Sequence, residues 1–240
     1  MTTDAVEAIR RKLILALDFP YVQEAIGMIH KVRPEVMHYK VGLELWSSTG
    51  GDLFHYFNEE ELDFFVDLKL HDIPNTVAQA VKKIMAHKPS LMTIHAMGGM
   101  DMMRAAADAK NGHEHAAHSK VVAVTVLTHH HDSDLPKLGM SGSAADQVKR
   151  LANLAQESGL DGVVCSAQEA ATLRAQCGDD FTLVCPGIRP AGSQAHDQAR
   201  IMTPKAAIAA GADYLVVGRP IRQAEDPQAV AKALLKEMAE

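Results

Sequence analysis

The run Asp63-Phe-Phe-Val-Asp-Leu-Lys-Leu-His-Asp-Ile-Pro-Asn-Thr76 joins an apolar, strand-like segment to a cluster of charges. Side chains two residues apart on a β-strand point to the same face, so Asp67 and Lys69 should project together at the carboxyl end of this strand. Asp72 follows in a loop, and Pro74 favours the start of a helix. Because charges beside an apolar strand are costly to desolvate unless they pair, the arrangement predicts a functional site.

Seven further apolar runs, each of strand length, accompany the predicted strand at 63–67. Most are apolar throughout, which is typical of parallel strands covered on both faces. The stretches between them, such as 77–87 and 144–157, carry apolar residues at helical spacing. Eight strand–helix units in 240 residues predict an α/β fold, a (β/α)8 TIM barrel forming a single domain over residues 1–240. A doubly wound open sheet is the alternative, but no Gly-x-Gly-x-x-Gly follows the first strand. The seven further strands are predicted at 13–17, 38–42, 91–95, 121–127, 162–165, 181–185 and 214–218.

The composition restricts the class of protein. The chain is 47% hydrophobic and 22% charged, as in ordinary globular proteins. A net charge of −6 without a run of Lys or Arg argues against nucleic-acid binding. No signal peptide is visible, and no apolar run reaches the roughly 18 residues of a membrane span. Cys165, Cys177 and Cys185 form no CxxC motif and are predicted to be buried free thiols. We therefore expect a cytoplasmic protein without nucleic-acid or membrane partners.

Polar residues recur where the predicted strands end. In barrels the carboxyl ends of the strands carry the active site, so these side chains should converge there. Ionisable groups that converge from separate strands are hard to explain as an ordinary solvated surface. The residues concerned are Asp18 after the first strand, Lys40 in the second, Asp67 and Lys69 in the third, Thr128 after the fifth, Arg189 after the seventh, and Gly218 and Arg219 after the eighth.

The end of the last strand, Val217-Gly-Arg-Pro-Ile221, has the character of a phosphate site. Glycine lets a phosphate approach the backbone amide, and arginine adds a forked cationic donor. The loop after the seventh strand, Pro186-Gly-Ile-Arg-Pro190, supplies further donors. Barrels often bind phosphate near these two loops. A glycine turn beside a surface arginine is the alternative interpretation.

Lys69 lies between Asp67 and Asp72 in sequence, and carboxylates close by favour the ammonium form of a lysine. An ammonium group suits a general acid. A Schiff-base nucleophile instead requires a neutral amine. The sequence therefore predicts that Lys69 donates a proton.

Taken together, these motifs resemble the orotidine 5′-phosphate decarboxylase family. The resemblance covers the chain from about residue 13 to 221, in order, and the motif that begins at Asp67 is the most specific part of it. The matching segments are Leu15-Ala-Leu-Asp18, Tyr39-Lys-Val-Gly42, Asp67-Leu-Lys-x-x-Asp-Ile-Pro-Asn-Thr76, Val126-Leu-Thr128, Pro186-Gly-Ile-Arg189 and Val217-Gly-Arg-Pro220.

The resemblance implies a homodimeric barrel that makes UMP from orotidine 5′-phosphate, in pyrimidine biosynthesis, without a metal or an organic cofactor. It implies that Lys69 is the proton donor within an array of Lys40, Asp67, Lys69 and Asp72. Residues Asp72 and Thr76 would reach the substrate of the neighbouring subunit. The remaining implied roles are Asp18 and Lys40 on the ribose hydroxyls, Thr128 at the pyrimidine edge, and Arg189, Gln198, Gly218 and Arg219 around the phosphate. Asp67 is expected to contact the substrate as well.

One segment departs from the family pattern. Thr128 is followed by His129-His-His131-Asp132, where relatives commonly carry a small residue and a methionine. These histidines either contact a lid over the base or lie in solvent. Together with His113, His115 and His118 they could bind a metal ion, but a solvated histidine-rich surface is favoured over a metal site.

Two rival functions stay open at this point. One is a metal-dependent decarboxylase of sugar phosphates, whose acidic metal ligand would have to stand where this chain has Lys40. The other is a barrel that binds a phosphorylated ligand without turning it over.

Overall fold

The computed structural model describes residues 3–190 and 202–240. Eight parallel strands close into a barrel, in which each strand pairs with the next along the chain and β8 pairs with β1. The predicted (β/α)8 fold is confirmed and the open sheet is excluded; that residues 1–240 form one domain throughout stays a prediction. The strands are β1 (Leu13–Ala16), β2 (His38–Gly42), β3 (Asp63–Leu70), β4 (Leu91–His95), β5 (Lys120–Val124), β6 (Gly162–Val164), β7 (Thr182–Pro186) and β8 (Tyr214–Val217).

Helices cover the outside of the barrel. Pro74 opens the helix after β3, where its missing N–H is not needed, and this helix buries Val77, Val81 and Ile84. Among the helices described, none is both long and apolar enough to cross a membrane. The helices are α1 (Thr3–Lys12), α2 (Val22–Val32), α3 (Leu43–Thr49), α4 (Asp52–Glu59), α5 (Pro74–Met85), α6 (Gly99–Asn111), α7 (Ala144–Glu157), α8 (Ala167–Cys177), α9 (Pro204–Ala209), α10 (Arg219–Arg222) and α11 (Pro227–Ala239), with short 3₁₀ turns at Ala96–Gly98 and Leu135–Leu138.

Two strands differ clearly from their predicted limits. β3 continues to Leu70 instead of ending at Asp67, because its last residues still pair with β4 after an irregularity. β5 ends at Val124 and not at Leu127. The apolar residues Val126 and Leu127, which suggested a longer strand, line a pocket. The other six strands agree with the prediction to within one residue.

The core has two layers, because alternate residues of each strand face opposite sides of the barrel wall. A large outer cluster lies between the barrel and its helices. All three cysteines are buried and free, as predicted, and the sulfurs of Cys165 and Cys185 lie 3.8 Å apart. The barrel interior is filled by Ile14, Ala16, Phe65, Leu91, Val122, Val184 and Val216.

A buried histidine joins elements at the amino end of the barrel. His38 Nδ1 lies 3.1 Å from the carbonyl oxygen of Arg11, and Nε2 lies 2.7 Å from the hydroxyl of Ser90. A neutral ring with its proton on Nδ1 donates to the Arg11 carbonyl and accepts at Nε2 from the Ser90 hydroxyl, which also lies 2.8 Å from the carbonyl oxygen of Phe64. Burial in this position lowers the pKa of His38, although the carboxylate of Asp63 opposes the effect.

Candidate active site

A pocket of about 350 Å³ lies at the carboxyl end of the barrel, a volume in the range of small-molecule sites. Its floor and walls are largely apolar, and its charged groups come from β2 and β3 on one side, with His129 from the loop after β5. This combination places charges beside a surface suited to a flat, partly apolar ligand. The polar lining is Lys40, Asp67, Lys69, Thr128 and His129, and the apolar lining is Phe65, Val124, Val126, Leu127, Val164, Val184, Pro186 and Val216.

Asp67 is the centre of a charge cluster in this pocket. Its side chain is almost fully buried, and both carboxylate oxygens lie 3.0 Å from Lys69 Nζ. Lys40 Nζ lies 3.4 Å from Asp67 Oδ2 and 3.3 Å from Asp18 Oδ1. The predicted meeting of Asp67 with Lys69 is therefore confirmed, and Lys40 and Asp18 extend the cluster across two further strands.

The cluster sets the protonation of its buried members. Burial alone would raise the pKa of Asp67, but the ammonium groups of Lys40 and Lys69 outweigh burial and lower that pKa. Burial would lower the pKa of Lys40, yet the carboxylates of Asp67 and Asp18 together raise it. The site therefore presents a buried carboxylate and fixed positive charge at neutral pH.

Two glycines lie beside the cluster, and one of them makes room for it. A Cβ atom built on Gly42 would lie 2.9 Å from Lys40 Nζ, so a larger residue at this position would displace the ammonium group. A Cβ on Gly218 would contact Asp18 Oδ2 at 3.7 Å, which shows that the end of β8 lies beside the end of β1. The close approach of the backbone to Lys40 explains the glycine in the Lys-Val-Gly motif, whereas a Cβ at Gly218 would make only ordinary contacts.

Arg222 supports the Asp18 side of the pocket and was not expected from the sequence. One of its terminal nitrogens donates to the backbone carbonyl of Asp18, and the other lies 3.7 Å from Asp18 Oδ2. Its guanidinium group lies over the ring of Phe19, 5.1 Å from the ring centre. These contacts fix the segment that follows β1.

Comparison with known proteins agrees with this geometry. Residues 11–234 match the model of the orotidine 5′-phosphate decarboxylase / HUMPS family. The chain belongs to this family. The orotidine 5′-phosphate decarboxylase of Actinobacillus pleuropneumoniae is 48% identical over 223 residues, which is 93% of this chain and 96% of that relative. The protein of the same name from Haemophilus influenzae is 46% identical over 225 residues, with 93% and 96% covered.

Solved structures give the same result. The crystal structure of orotidine 5′-phosphate decarboxylase from Lactobacillus acidophilus superposes with a TM-score of 0.84 at 37% identity, covering 96% of this chain and 100% of that one. The structure of orotidine 5′-phosphate decarboxylase from Pyrococcus horikoshii has a TM-score of 0.75 at 25% identity, covering 95% and 99%. The barrel and its strand order are therefore those of the decarboxylase family.

Further residues named by the family resemblance follow the strands at the same end of the barrel as the pocket. Thr128 lines the pocket, and Gly218 and Arg219 follow β8 at the same end of the barrel. Arg189 follows β7 and is buried, with Nη1 donating to the carbonyl of Ile188 at 2.9 Å. Gln198, which the resemblance assigns to the phosphate, lies outside the described residues.

Asp72 does not join the cluster within its own chain. It is exposed, and its carboxylate accepts a hydrogen bond from the backbone N–H of Ile73 at 2.6 Å. Among the residues that the structure describes, Lys69 pairs with Asp67 and not with Asp72. Thr76 is also exposed, in the first turn of α5. The structure thus brings Lys40, Asp67 and Lys69 together but leaves these two residues at the surface.

The histidine-rich segment after β5 divides between two places. His129 lines the pocket, whereas His130 and His131 line a separate groove beside the start of α7. Within residues 3–190 and 202–240 no group of three His, Cys, Asp or Glu side chains is arranged to hold a metal ion. His129 is therefore placed to contact a ligand.

Sequence reasoning missed Thr93 and Arg222. Thr93 is a buried residue of β4 that bonds to Asp67 and Lys69. Its signal in the sequence is a hydroxyl residue within the apolar run Leu91-Met-Thr-Ile-His95, at a position that alternation turns inward with Leu91. Arg222 had no such signal, since it lies one turn beyond the predicted phosphate motif.

Proposed function

We propose that this protein decarboxylates orotidine 5′-phosphate to UMP, in pyrimidine biosynthesis, without a cofactor, and that Lys69 donates the proton to C6. The observation that carries the proposal is the Asp67 carboxylate held by Lys69 and Lys40 on the wall of an apolar pocket. The relatives named orotidine 5′-phosphate decarboxylase, matched over nearly the whole chain, support the choice of substrate.

The proposed mechanism uses the charges on the pocket wall. A substrate carboxylate about 4 Å from Asp67 is repelled by roughly 4 kcal/mol at an effective dielectric of 20. When the bond between C6 and the carboxylate carbon breaks, carbon dioxide leaves and the electron pair stays on C6. The fixed ammonium of Lys69 stabilises that developing carbanion and then transfers a proton to it. Each step uses groups already in the pocket.

The lysines weigh against the metal-dependent rival. Lys40 occupies the position at the end of β2 where that rival requires an acidic ligand. The raised pKa of Lys40 keeps it positively charged, and together with Lys69 it repels a cation. We therefore propose a reaction without a metal ion.

Binding of the rest of the nucleotide is assigned from the resemblance and from position. Asp18 and Lys40 would hold the ribose, since their charged groups meet beside Gly42 at the end of β2. Thr128 would contact the pyrimidine edge from the pocket wall. The phosphate would bind at the neighbouring ends of β7 and β8, through Arg189, Gln198, Gly218 and Arg219.

We further propose a homodimer with shared sites, in which Asp72 and Thr76 act on the substrate of the partner. Every residue from His71 to Thr76 is exposed, and Ile73 is 67% exposed despite its apolar side chain. Leu43 and Met97, which follow the adjacent strands β2 and β4, are exposed as well. An apolar face of this kind beside an unpaired carboxylate suits contact with a second copy of the chain.

The activity is tested by following the absorbance of orotidine 5′-phosphate in the presence and absence of a chelator. Turnover that survives exhaustive chelation is the expected result. Loss of activity that magnesium or zinc restores would favour the metal-dependent rival. Tight binding of the nucleotide without any turnover would favour the barrel that only binds a phosphorylated ligand.

The shared site is tested by mixing two inactive variants, Lys69→Ala and Asp72→Ala, under conditions of subunit exchange. A hybrid dimer then has one site with both defects and one with neither, so random reassortment should restore roughly a quarter of the normal activity. A mixture of Lys69→Ala with Lys40→Ala is the control and should stay inactive, because each chain contributes both lysines to its own site. Exchange verified by mass spectrometry without recovered activity in the first mixture would exclude the shared site.

A further inference from the structure

A buried threonine connects the two ionisable residues at the end of β3. Thr93 is 1% exposed and faces into the barrel from β4. Its hydroxyl donates to Asp67 Oδ1 at 3.0 Å and accepts from the backbone N–H of Lys69 at 2.9 Å. One side chain therefore contacts both the carboxylate of the charge cluster and the backbone that carries the proposed proton donor.

The backbone at this place is irregular. Val66 pairs with Met92 and Leu70 pairs with Ile94, so three residues of β3 face the single residue Thr93. Bulges of this type occur next to active sites, where they re-aim a side chain. Inside the bulge the normal ladder of hydrogen bonds is interrupted, and the N–H of Lys69 is bonded to the threonine hydroxyl instead.

Lys69 adopts a conformation that a lysine rarely takes. Its φ is 53°, in the left-handed region that favours glycine. Such a conformation persists only where the surroundings hold it, and it is found most often at functional sites. The hydrogen bond from Lys69 N–H to Thr93 is a contact placed to hold this backbone, and the bond from Thr93 to Asp67 holds the carboxylate in the same place.

We propose that Thr93 is a positioning residue for the decarboxylation, which fixes the bulge of β3 so that the Asp67 carboxylate and the Lys69 ammonium keep their places on the pocket wall. The catalytic part of this inference rests on the proposed function. Thr93 does not line the pocket, so it acts through Asp67 and Lys69 and not on the ligand. Supporting residues of this kind determine how accurately a catalytic group is held.

Two variants separate the hydroxyl from the bulk of the side chain. Thr93→Val removes both hydrogen bonds at nearly constant shape, whereas Thr93→Ser keeps the hydroxyl. The matched control is Thr182→Val at the amino end of the barrel, which removes a buried threonine hydroxyl that accepts a hydrogen bond from Lys120 Nζ at 2.8 Å. If Thr93→Val fails to fold, Thr93→Ala and Thr182→Ala make the same comparison. Alanine places no additional methyl group against the Asp67 carboxylate.

The expected kinetic result is a loss in kcat, because the reacting groups are displaced while the nucleotide contacts are not. Thr93→Val should lower kcat about 10- to 100-fold, with affinity for UMP changed by less than about threefold. Thr93→Ser and Thr182→Val should stay within about threefold of the unaltered protein in kcat. A purely structural role predicts instead that Thr93→Val and Thr182→Val lose thermal stability but keep the same kcat.

The pH profile gives a second readout that a structural role does not move. The hydrogen bond from Thr93 is among the contacts that lower the pKa of Asp67, after the two lysines. Losing that bond raises the pKa, so the acid limb of the kcat profile should shift to higher pH in Thr93→Val and return in Thr93→Ser.

A third measurement does not depend on activity. Hydrogen exchange of the Lys69 amide, followed by NMR in the protein without ligand, should be at least about tenfold faster in Thr93→Val than in the unaltered protein or in Thr182→Val. An unaltered protein that fails to decarboxylate orotidine 5′-phosphate would overturn the proposed function, while the amide measurement still decides whether Thr93 holds the bulge. Unchanged amide exchange, or a kcat for Thr93→Val equal to that for Thr182→Val in an active protein, would overturn the role of Thr93.

Discussion

Replacing Asp67 with asparagine should lower the free energy of unfolding by up to about 3–5 kcal/mol, since it removes the shared partner of two lysines whose side chains are only 12% and 30% exposed. The distances of 3.4 Å to Lys40 Nζ and 3.0 Å to Lys69 Nζ give a gross attraction of about 5 kcal/mol for each pair at an effective dielectric of 20. Much of this is offset because a neutral amide is cheaper to bury than a carboxylate, by several kcal/mol. What remains is the part of the lost attraction that the cheaper burial of the amide does not offset, while the two ammonium groups repel each other as before.

Urea unfolding at pH 7 and a fixed protein concentration measures this loss. The single tryptophan, Trp46, is stacked on Phe54 at 5.5 Å between ring centres and reports the unfolding of the outer core by fluorescence. The difference in midpoint multiplied by a common slope gives the change in free energy.

Asp63→Asn is the matched control for this prediction. Asp63 stands at the other end of β3 and pairs with the half-exposed guanidinium group of Arg11. An exposed pair of this kind contributes at most about 1 kcal/mol. If both variants destabilise the protein equally, or if Asp67→Asn costs less than about 1 kcal/mol, the reasoning from the buried charge cluster is wrong.

Three further outcomes are expected. Lys69→Ala should lose most of kcat while still binding UMP, because the phosphate and ribose contacts lie elsewhere. The control is Lys120→Ala, at the start of β5 and so at the end of the barrel away from the pocket. Near-normal turnover by a folded Lys69→Ala variant would contradict the role of Lys69. Arg219→Ala should reduce kcat/KM for orotidine 5′-phosphate by at least about tenfold but hardly change kcat/KM for orotidine, which lacks the phosphate and reacts slowly. Equal losses of kcat/KM for both substrates would rule out Arg219 as the phosphate ligand. The free energy of unfolding should fall as the pH drops below about 6.5, because His38 is protonated in the unfolded chain but not in the folded protein, where its pKa is lowered. In urea titrations, His38→Gln should reduce the dependence of this free energy on pH by up to about 1.4 kcal/mol per pH unit. The same dependence in both proteins would show that His38 does not contribute.

Much of the site followed from local sequence. Alternation along a strand placed Asp67 and Lys69 on one face, and the two side chains do meet, with both carboxylate oxygens 3.0 Å from the ammonium. Strand ends of a barrel converge by construction, so Lys40 and Thr128 were also expected in the same pocket and both line it. In each of these cases a short-range pattern and a general rule of the fold were enough.

Other features depended on contacts that no short stretch of sequence encodes. Leu127 looked like the end of β5, but its apolar side chain lines the pocket and the strand stops at Val124. The left-handed backbone of Lys69 results from the unequal pairing of β3 with β4, and a regular strand would have been expected there. His129 was left open between contact with a lid over the base and solvent, and only the course of the loop after β5 placed it on the pocket wall.

The sequence by itself determined the barrel, the charge motif on β3 and the family, because strand and helix periods, the Asp67-x-Lys69 spacing and the glycine motifs are all local. Only the tertiary structure decided that Thr93 bonds to both members of that motif, that Arg222 holds Asp18 from the far end of the chain, and that Asp72 points away from its own cluster. The physical reason is that the contacts of Thr93 and Arg222 join segments that are neighbours in the closed barrel but distant in sequence, and that the exposure of Asp72 depends on the fold around it. Their geometry is set by register and by the bulge, which depend on the packing of the whole barrel.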